Sequence, residues 1–337
     1  MNRFAYTRAT DVREAAAAAS EPAAKVIAGG TNLVDLLKYN VERPTRLVDI
    51  TRLPLRGIEE APDGGLRIGA LVPNSDLAYD ERIAARYPLL ASAILAGASP
   101  QLRNAASTGG NLLQRTRCYY FYDTGTACNK REPGSGCPAI HGQNRIHAIL
   151  GTSEHCIATH PSDMCIALAA LGATVRVTGP AGERVIPFSE FHRLPGDTPE
   201  RDSNLAAGEI VTAVDLPPEE FGANYTYLKL RDRLSYAFAL VSAAVALRME
   251  GGTISEARLA LGGVAHKPWR DEGAEAMLRG KPATEEAFRA VAEHVLRDAV
   301  GYEHNAFKIE LARRTIVRAL AQAAAGTPQS QSDKRIQ

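Results

Sequence analysis

A stretch of about sixty residues, Ala105 to Asp163, sets the hardest condition on how this chain folds. Four of its five cysteines, Cys118, Cys128, Cys137 and Cys156, lie inside it, and Cys165 follows just beyond. Nine, eight and eighteen residues separate consecutive members of the four. The segments between them are rich in Gly, Pro, Asn and Arg, with few long apolar runs. Such a segment has too little apolar surface to offset its conformational entropy. It is also too long for a structureless loop inside a compact domain. The expectation is that a metal centre bound by thiolates holds it.

Zinc sites usually draw on a close CxxC or HxxxH pair, and here the nearest cysteine pair has eight residues between its members. That spacing weakens zinc without excluding it. Four thiolates from scattered loops suit an iron–sulfur cluster, which is larger and is reached from several directions. Cys165 sits beside Met164 and Ile166 on an apolar run and reads as core, since free cysteine behaves as a small hydrophobe. His141, His147, His155 and His160 are alternative ligands, or surface and supporting groups.

At 337 residues the chain has room for two domains or three. A formal net charge of +1 and the lack of any block of like charge give no reason to expect nucleic acid. No apolar run reaches the length of a membrane span. The first twenty residues lack the order of a secretory signal, so folding in the cytoplasm is expected. Cysteines there are metal ligands or core residues rather than disulfides.

Along the chain, Thr10 or Asp11 caps an alanine-rich helix that ends before Pro22. AKVIAGG reads as a strand running into a glycine turn, and TNLVDLLKYN as a helix. RLVDI and GLRIGALV read as strands, and a helical stretch starts near Ser75. Ser162 caps DMCIALAALG, and the strands ATVRVTG and IVTAVDLP follow, the latter stopped by Pro217 and Pro218. Beyond them, long alternating runs predict an antiparallel sheet, then two helices at roughly Thr284 to Val300 and Asn305 to Ala325. The expected division is 1–220, with an insertion at about 112–160, then 221–325, and a flexible tail at 326–337.

Ala28-Gly29-Gly30-Thr31-Asn32 lies at a strand end before a helix. Glycines let backbone approach a phosphate, and N–H groups at a turn or helix N-terminus bind anions. A tight turn needing positive φ is the plainer explanation of one such pair. Ser107-Thr108-Gly109-Gly110-Asn111 repeats the chemistry, and two such loops suggest a ligand with neighbouring phosphates. Neither is a GxGxxG fingerprint, so a dinucleotide fold of that kind has no support. In His160-Pro161-Ser162-Asp163, Ser162 is the better candidate for a helix cap, and Asp163 in the first turn suits the helix dipole.

Together, the two glycine loops, the HPSD turn and the run Tyr227 to Arg233 resemble the FAD-binding subunits of the molybdenum hydroxylases, a family that includes xanthine and carbon monoxide dehydrogenases and bacterial aldehyde oxidoreductases. QLRNAASTGGNLLQRTRC and TYLKLRDRLSYAFALVSAAVAL carry much of the likeness, which covers nearly the whole chain. It is nearest to the FAD subunits of periplasmic aldehyde oxidoreductases. The fold this implies is α+β: a vanillyl-alcohol-oxidase-type FAD-binding domain of two subdomains, then a smaller flavoprotein domain. In most of the family the TGGN loop leads almost at once to the Asp turn, whereas here about fifty residues intervene. Members with that insertion carry a 4Fe-4S cluster, which makes Cys118, Cys128, Cys137 and Cys156 the implied ligands.

Carried over by position, Val26, Ile27, Ala28, Gly29, Gly30, Thr31, Asn32 and Leu33 would wrap the FAD pyrophosphate. Ser107, Thr108, Gly110 and Asn111 would form the second phosphate-side loop. Asp163 would bind a cofactor hydroxyl, Ile210 would meet the adenine or flavin region through its backbone, and Lys229 would contact the flavin. The resemblance further implies a large molybdenum-cofactor subunit and a small 2Fe-2S subunit as partners. Electrons would pass from their clusters through FAD to an external acceptor. It leaves open export of the folded chain to the periplasm with a signal-bearing partner. No residue is a candidate acid–base catalyst. The alternatives are a stand-alone FAD-dependent oxidase and a zinc-stapled structural subunit.

Overall fold

The computed structural model describes residues 1–218, 221–331 and 333. Glu220, where the composition changes, lies outside them, as do 332 and 334–337 of the tail. Three sheets organise the rest. The first is parallel: β1 (Ala5–Arg8), β2 (Ala24–Ile27) and β3 (Arg46–Asp49), in the order β1-β3-β2. Two helices connect its strands, Val12–Ala19 and Leu33–Lys38. Asp11 caps the first by accepting from Glu14 N. Its alanines pack closely, with Ala15 and Ala16 buried against Val48, Leu71 and Ile210.

The second sheet is antiparallel and collects distant segments: β4 (Ile58–Glu60), β5 (Leu66–Gly69), β6 (Thr174–Gly179), β7 (Gly182–Pro187) and β8 (Ile210–Leu216), in the order β4-β5-β8-β6-β7. Between β5 and β6 the chain leaves the sheet for the helical stretch expected from Ser75. That stretch is broken into Asn74–Tyr79, Glu81–Arg86 and Pro88–Ala96. Asp80 ends one helix and caps the next by accepting from the Arg82 and Ile83 N–H groups, and Pro88 restarts the chain at a first helical turn. The helix Asp163–Leu171 is capped by Ser162, as its sequence predicts, and ends at Gly172 with φ +68°.

The third sheet holds β9 (Asn224–Leu230), β10 (Val241–Glu250), β11 (Thr253–Gly262), β12 (Trp269–Arg270) and β13 (Lys281–Pro282). It is antiparallel, in the order β12-β11-β10-β9, with β13 beside β11. Gly251 and Gly252 both take positive φ in the β10–β11 hairpin, which a two-residue turn of this hand requires. β10 is apolar almost throughout because both its faces are covered. Ala244 and Ala246 join the core of the N-terminal half, while Ala243, Val245 and Leu247 join a second core under the C-terminal helices. Those helices are Glu285–Val295 and Phe307–Ala324, with a further one, Glu272–Leu278, that the sequence reading omitted.

Two expectations need correction. The insertion is not coreless: Phe121 is fully buried, and Leu36, Ala158, Cys118, Cys128 and Cys156 pack in one cluster with it. Its second half docks on the C-terminal domain, where Ile149 and Leu150 N–H both donate to Val264 O. These apolar residues are spaced without period, so no sequence pattern reveals them. The tail, in turn, is anchored in part. Gln329 N donates to Thr226 Oγ1 at 2.9 Å, and Gln331 Nε2 to Tyr227 O at 3.1 Å.

Candidate cofactor and metal site

The first glycine loop joins β2 to the helix Leu33–Lys38. Gly30 has φ +72°, so the turn needs glycine there. The N–H groups of Gly29, Gly30, Thr31 and Asn32 have no acceptor among the described residues. Successive free N–H groups at such a turn form a nest for an anion. Asn32 Oδ1 accepts from Arg115 N at 3.0 Å, whereas its buried Nδ2 has no partner. Val26, Ile27, Ala28 and Leu33 are only half-buried, which leaves an apolar floor beside the nest.

Gly29 brings the two glycine loops together. A Cβ there would lie 1.8 Å from Ala105 O, next to the second loop. In that loop the hydroxyls turn inward rather than toward a ligand. Ser107 Oγ accepts from Gly110 N at 3.3 Å, and Thr108 Oγ1 donates to Val72 O at 3.0 Å. Gly110 is exposed and Asn111 half-exposed, so these two form the open side. Asn111 Oδ1 accepts from Ser162 Oγ, tying the loop to the HPSD turn.

Asp163 and Lys229, expected as separate cofactor contacts, lie together. Lys229 Nζ donates to Asp163 Oδ2 at 2.7 Å and Tyr227 OH to Oδ1 at 2.6 Å. Both carboxylate oxygens are thus engaged within the chain, and any cofactor hydroxyl would share one of them. Burial, reinforced by Asp163, holds the Tyr227 phenol well above its ordinary pKa, so it stays a donor. The Ile210 side chain sits in the core behind the first loop, with Val26 and Ala28 packed against the same cluster.

Cys118, Cys128, Cys137 and Cys156 line one pocket, which His147 and His155 share. Among the described residues no three of the four sulfurs lie within 4.8 Å of one another. Three thiolates on one zinc, each about 2.3 Å from it, would sit roughly 3.8 Å apart. The wider spread suits a larger centre. Burial pushes the Cys118 thiol up to about 12 and the Cys156 thiol up to about 11, and it raises Cys137. A cation is what would ionise them. One backbone N–H is already on a sulfur, Ala158 N donating to Cys156 Sγ at 3.4 Å. Such bonds hold thiolates and tune a cluster's potential.

Of the four histidines weighed as ligands, His147 stands apart, its Nε2 lying 3.0 Å from Cys118 Sγ. Sequence reading also missed the charged groups that brace the insertion. Lys130 Nζ donates to Asp202 Oδ1 at 2.6 Å, and Arg115 pairs with Asp202 and Glu42, both at 2.7 Å. Against the upward push of burial, Lys130 and Arg115 hold the Asp202 carboxyl below the usual range. Partners 72 and 87 residues away leave no local signal in a single sequence.

The model for the FAD-binding domain in molybdopterin dehydrogenase matches residues 2–219, and that for the CO dehydrogenase flavoprotein C-terminal domain matches residues 225–323. The chain is 51% identical over 327 residues to the aldehyde oxidoreductase FAD-binding subunit PaoB of Escherichia coli (strain K12), covering 96% of this chain and 99% of that one. It is 30% identical over 294 residues to the carbon monoxide dehydrogenase medium chain of Hydrogenophaga pseudoflava, covering 86% and 85%. A solved carbon monoxide dehydrogenase from that organism superimposes with a TM-score of 0.76 at 29% identity, over 96% of this chain and 98% of that one. No helix among the described residues is long and apolar enough to cross a membrane. With paired glycine loops in front of an antiparallel flavoprotein domain, the chain belongs to the FAD-binding subunits of the molybdenum hydroxylase family of oxidoreductases.

Proposed function

We propose that this chain is the electron-transfer subunit of a heteromeric aldehyde oxidoreductase, holding FAD at the paired glycine loops and a 4Fe-4S cluster at Cys118, Cys128, Cys137 and Cys156. One observation supports the reading: a single short helix runs from the free N–H nest to the cysteine pocket. Its N-terminus is the free N–H nest at Gly29 to Asn32, and its Leu36 packs on Cys118, Cys128 and Cys156. Four residues of helix span roughly 6 Å. Bound FAD would supply the interconversion between one-electron and two-electron transfer.

The chain's own residues then have separable tasks. The nest and the Asn32 amide bind and orient phosphate. Asp163 and Lys229 fix the second domain against the first. The insertion keeps water from the sulfurs, with Phe121 and Ala158 packed beside them. The chain has five cysteines, one of them in the apolar core, too few for further clusters. A large molybdenum-cofactor subunit and a small 2Fe-2S subunit would supply the rest, with electrons leaving FAD for an external acceptor.

The test is to purify the chain alone and titrate it anaerobically with dithionite. A brown protein whose spectrum bleaches, and which reduces artificial dyes but oxidises neither aldehydes nor purines, is expected. Aldehyde turnover by the single chain would favour a stand-alone oxidase instead.

A further inference from the structure

A second group of soft ligands lies outside the four-cysteine pocket. His160, Cys165 and His192 each present one ligand atom, and the three atoms lie within 4.8 Å of one another. They are 8%, 0% and 4% exposed. They come from three places: the segment before Pro161, the helix Asp163–Leu171, and the residue after the short helix Phe188–Phe191. Burial alone, then, does not explain why two imidazoles and a thiol converge.

Their hydrogen bonds narrow the explanation. His192 Nε2 meets Leu112 O at 2.8 Å, so this nitrogen carries the proton and Nδ1 is a bare acceptor. That Nδ1 is buried without a partner, and so is His160 Nε2. Metal-binding histidines donate their second ring nitrogen to a carbonyl in this way. Two buried polar atoms left unpaired each cost free energy, and native folds rarely leave them so. Phe188 and Phe191 pack edge-on against the His192 ring, at 5.5 and 4.9 Å between centroids, and fix its plane. Beside both imidazoles lies a void of about 30 Å³, also walled by Thr116, Asp202 and His266. It has room for a water.

We propose that His160, Cys165 and His192 form a second, mononuclear metal site that takes Zn²⁺, with a water from the adjoining void as fourth ligand. Two neutral imidazoles and one thiolate are a donor set zinc accepts, and ligand atoms on one zinc lie roughly 3.3–3.8 Å apart. Small rotations of the side chains would close on the ion. The site would pin the HPSD turn, the helix that follows it and the Phe188–His192 segment to one another. It is independent of the iron reading, because Cys165 is not one of the four cluster cysteines.

Metal analysis of the full chain tests this. The protein is produced with both zinc and iron supplied, passed over a chelating resin, and assayed for both metals and flavin. Wild type should hold about one zinc per chain. Cys165→Ala and His192→Leu should each lower zinc at least tenfold and leave iron and flavin unchanged. Should His192→Leu fail to fold, Cys165→Ser changes one atom and reports instead. Zinc below about a tenth per chain in wild type would overturn the proposal. So would zinc that survives the Cys165 substitutions, or zinc lost with Cys118→Ser while Cys165→Ala keeps it.

Discussion

Lys229 Nζ lies 2.7 Å from Asp163 Oδ2, with side chains 3% and 9% exposed, in an ion pair that joins the C-terminal sheet to the first turn of the helix Asp163–Leu171. Tyr227 OH and Ala96 O complete its hydrogen bonds. Removing one partner leaves the other buried and uncompensated. Lys229→Met or Asp163→Asn should therefore cost about 3–5 kcal/mol. The double variant should cost less than the sum of the two. Denaturant unfolding of the three proteins checks this, and simple additivity would show that the pair is not coupled.

Gly29 is the tightest point between the two glycine loops, 1.8 Å from an added Cβ to Ala105 O. Gly29→Ala should force the loops apart and yield protein depleted of flavin. Gly64→Ala is the control: Gly64 has positive φ, a strain Gly29 does not carry, and nothing lies within 4 Å of its added Cβ. It should be mildly destabilised and keep its flavin. Flavin-to-protein ratios after gel filtration decide the matter, and equal occupancy in both would remove this loop from the cradle.

The two glycine loops, the Ser162 cap and the alternating runs of the last sheet were legible because each is a local pattern of special φ, capping or period two. The four cysteines were equally plain as a group. What stayed hidden depends on residues far apart in the chain. Nothing near Asp163 announces Lys229, 66 positions on, and nothing in Ser107 or Thr108 says that their hydroxyls serve the fold. The core around Phe121 escaped because its members, Leu36, Phe121 and Ala158, come from separate segments with no common period. His192 drew no notice, since a lone histidine after a phenylalanine has meaning only beside His160 and Cys165.

Lys308 is fully buried and donates to His147 O at 2.7 Å and to Gly263 O, bracing the backbone behind the cysteine pocket. Burial lowers its pKa from 10.5 to about 7. Between those values the unfolded chain binds a proton that the folded one lacks, so stability from this group rises with pH over that window. Below it both states hold the proton, and the contribution stays flat at its lowest, because the buried charge must be carried. Relative to Lys308→Met, wild type should gain up to about 1.4 kcal/mol per pH unit above neutrality. Unfolding free energies measured from pH 7 to 9 test the slope. A flat difference would mean the amine keeps its ordinary pKa.

The central claim is that one short helix links a flavin cradle to an iron–sulfur centre. Iron, sulfide and flavin content, with electron paramagnetic resonance after reduction, tests it most directly on wild type and five single-cysteine variants. Wild type should hold about four iron atoms and one flavin and show a reduced-cluster signal. Cys118→Ser, Cys128→Ser, Cys137→Ser and Cys156→Ser should lose iron and make the segment from Arg115 to Glu154 sensitive to protease. Cys165→Ala should keep iron. A flavoprotein without iron, or iron lost with Cys165 and retained without one of the other four, would contradict the account.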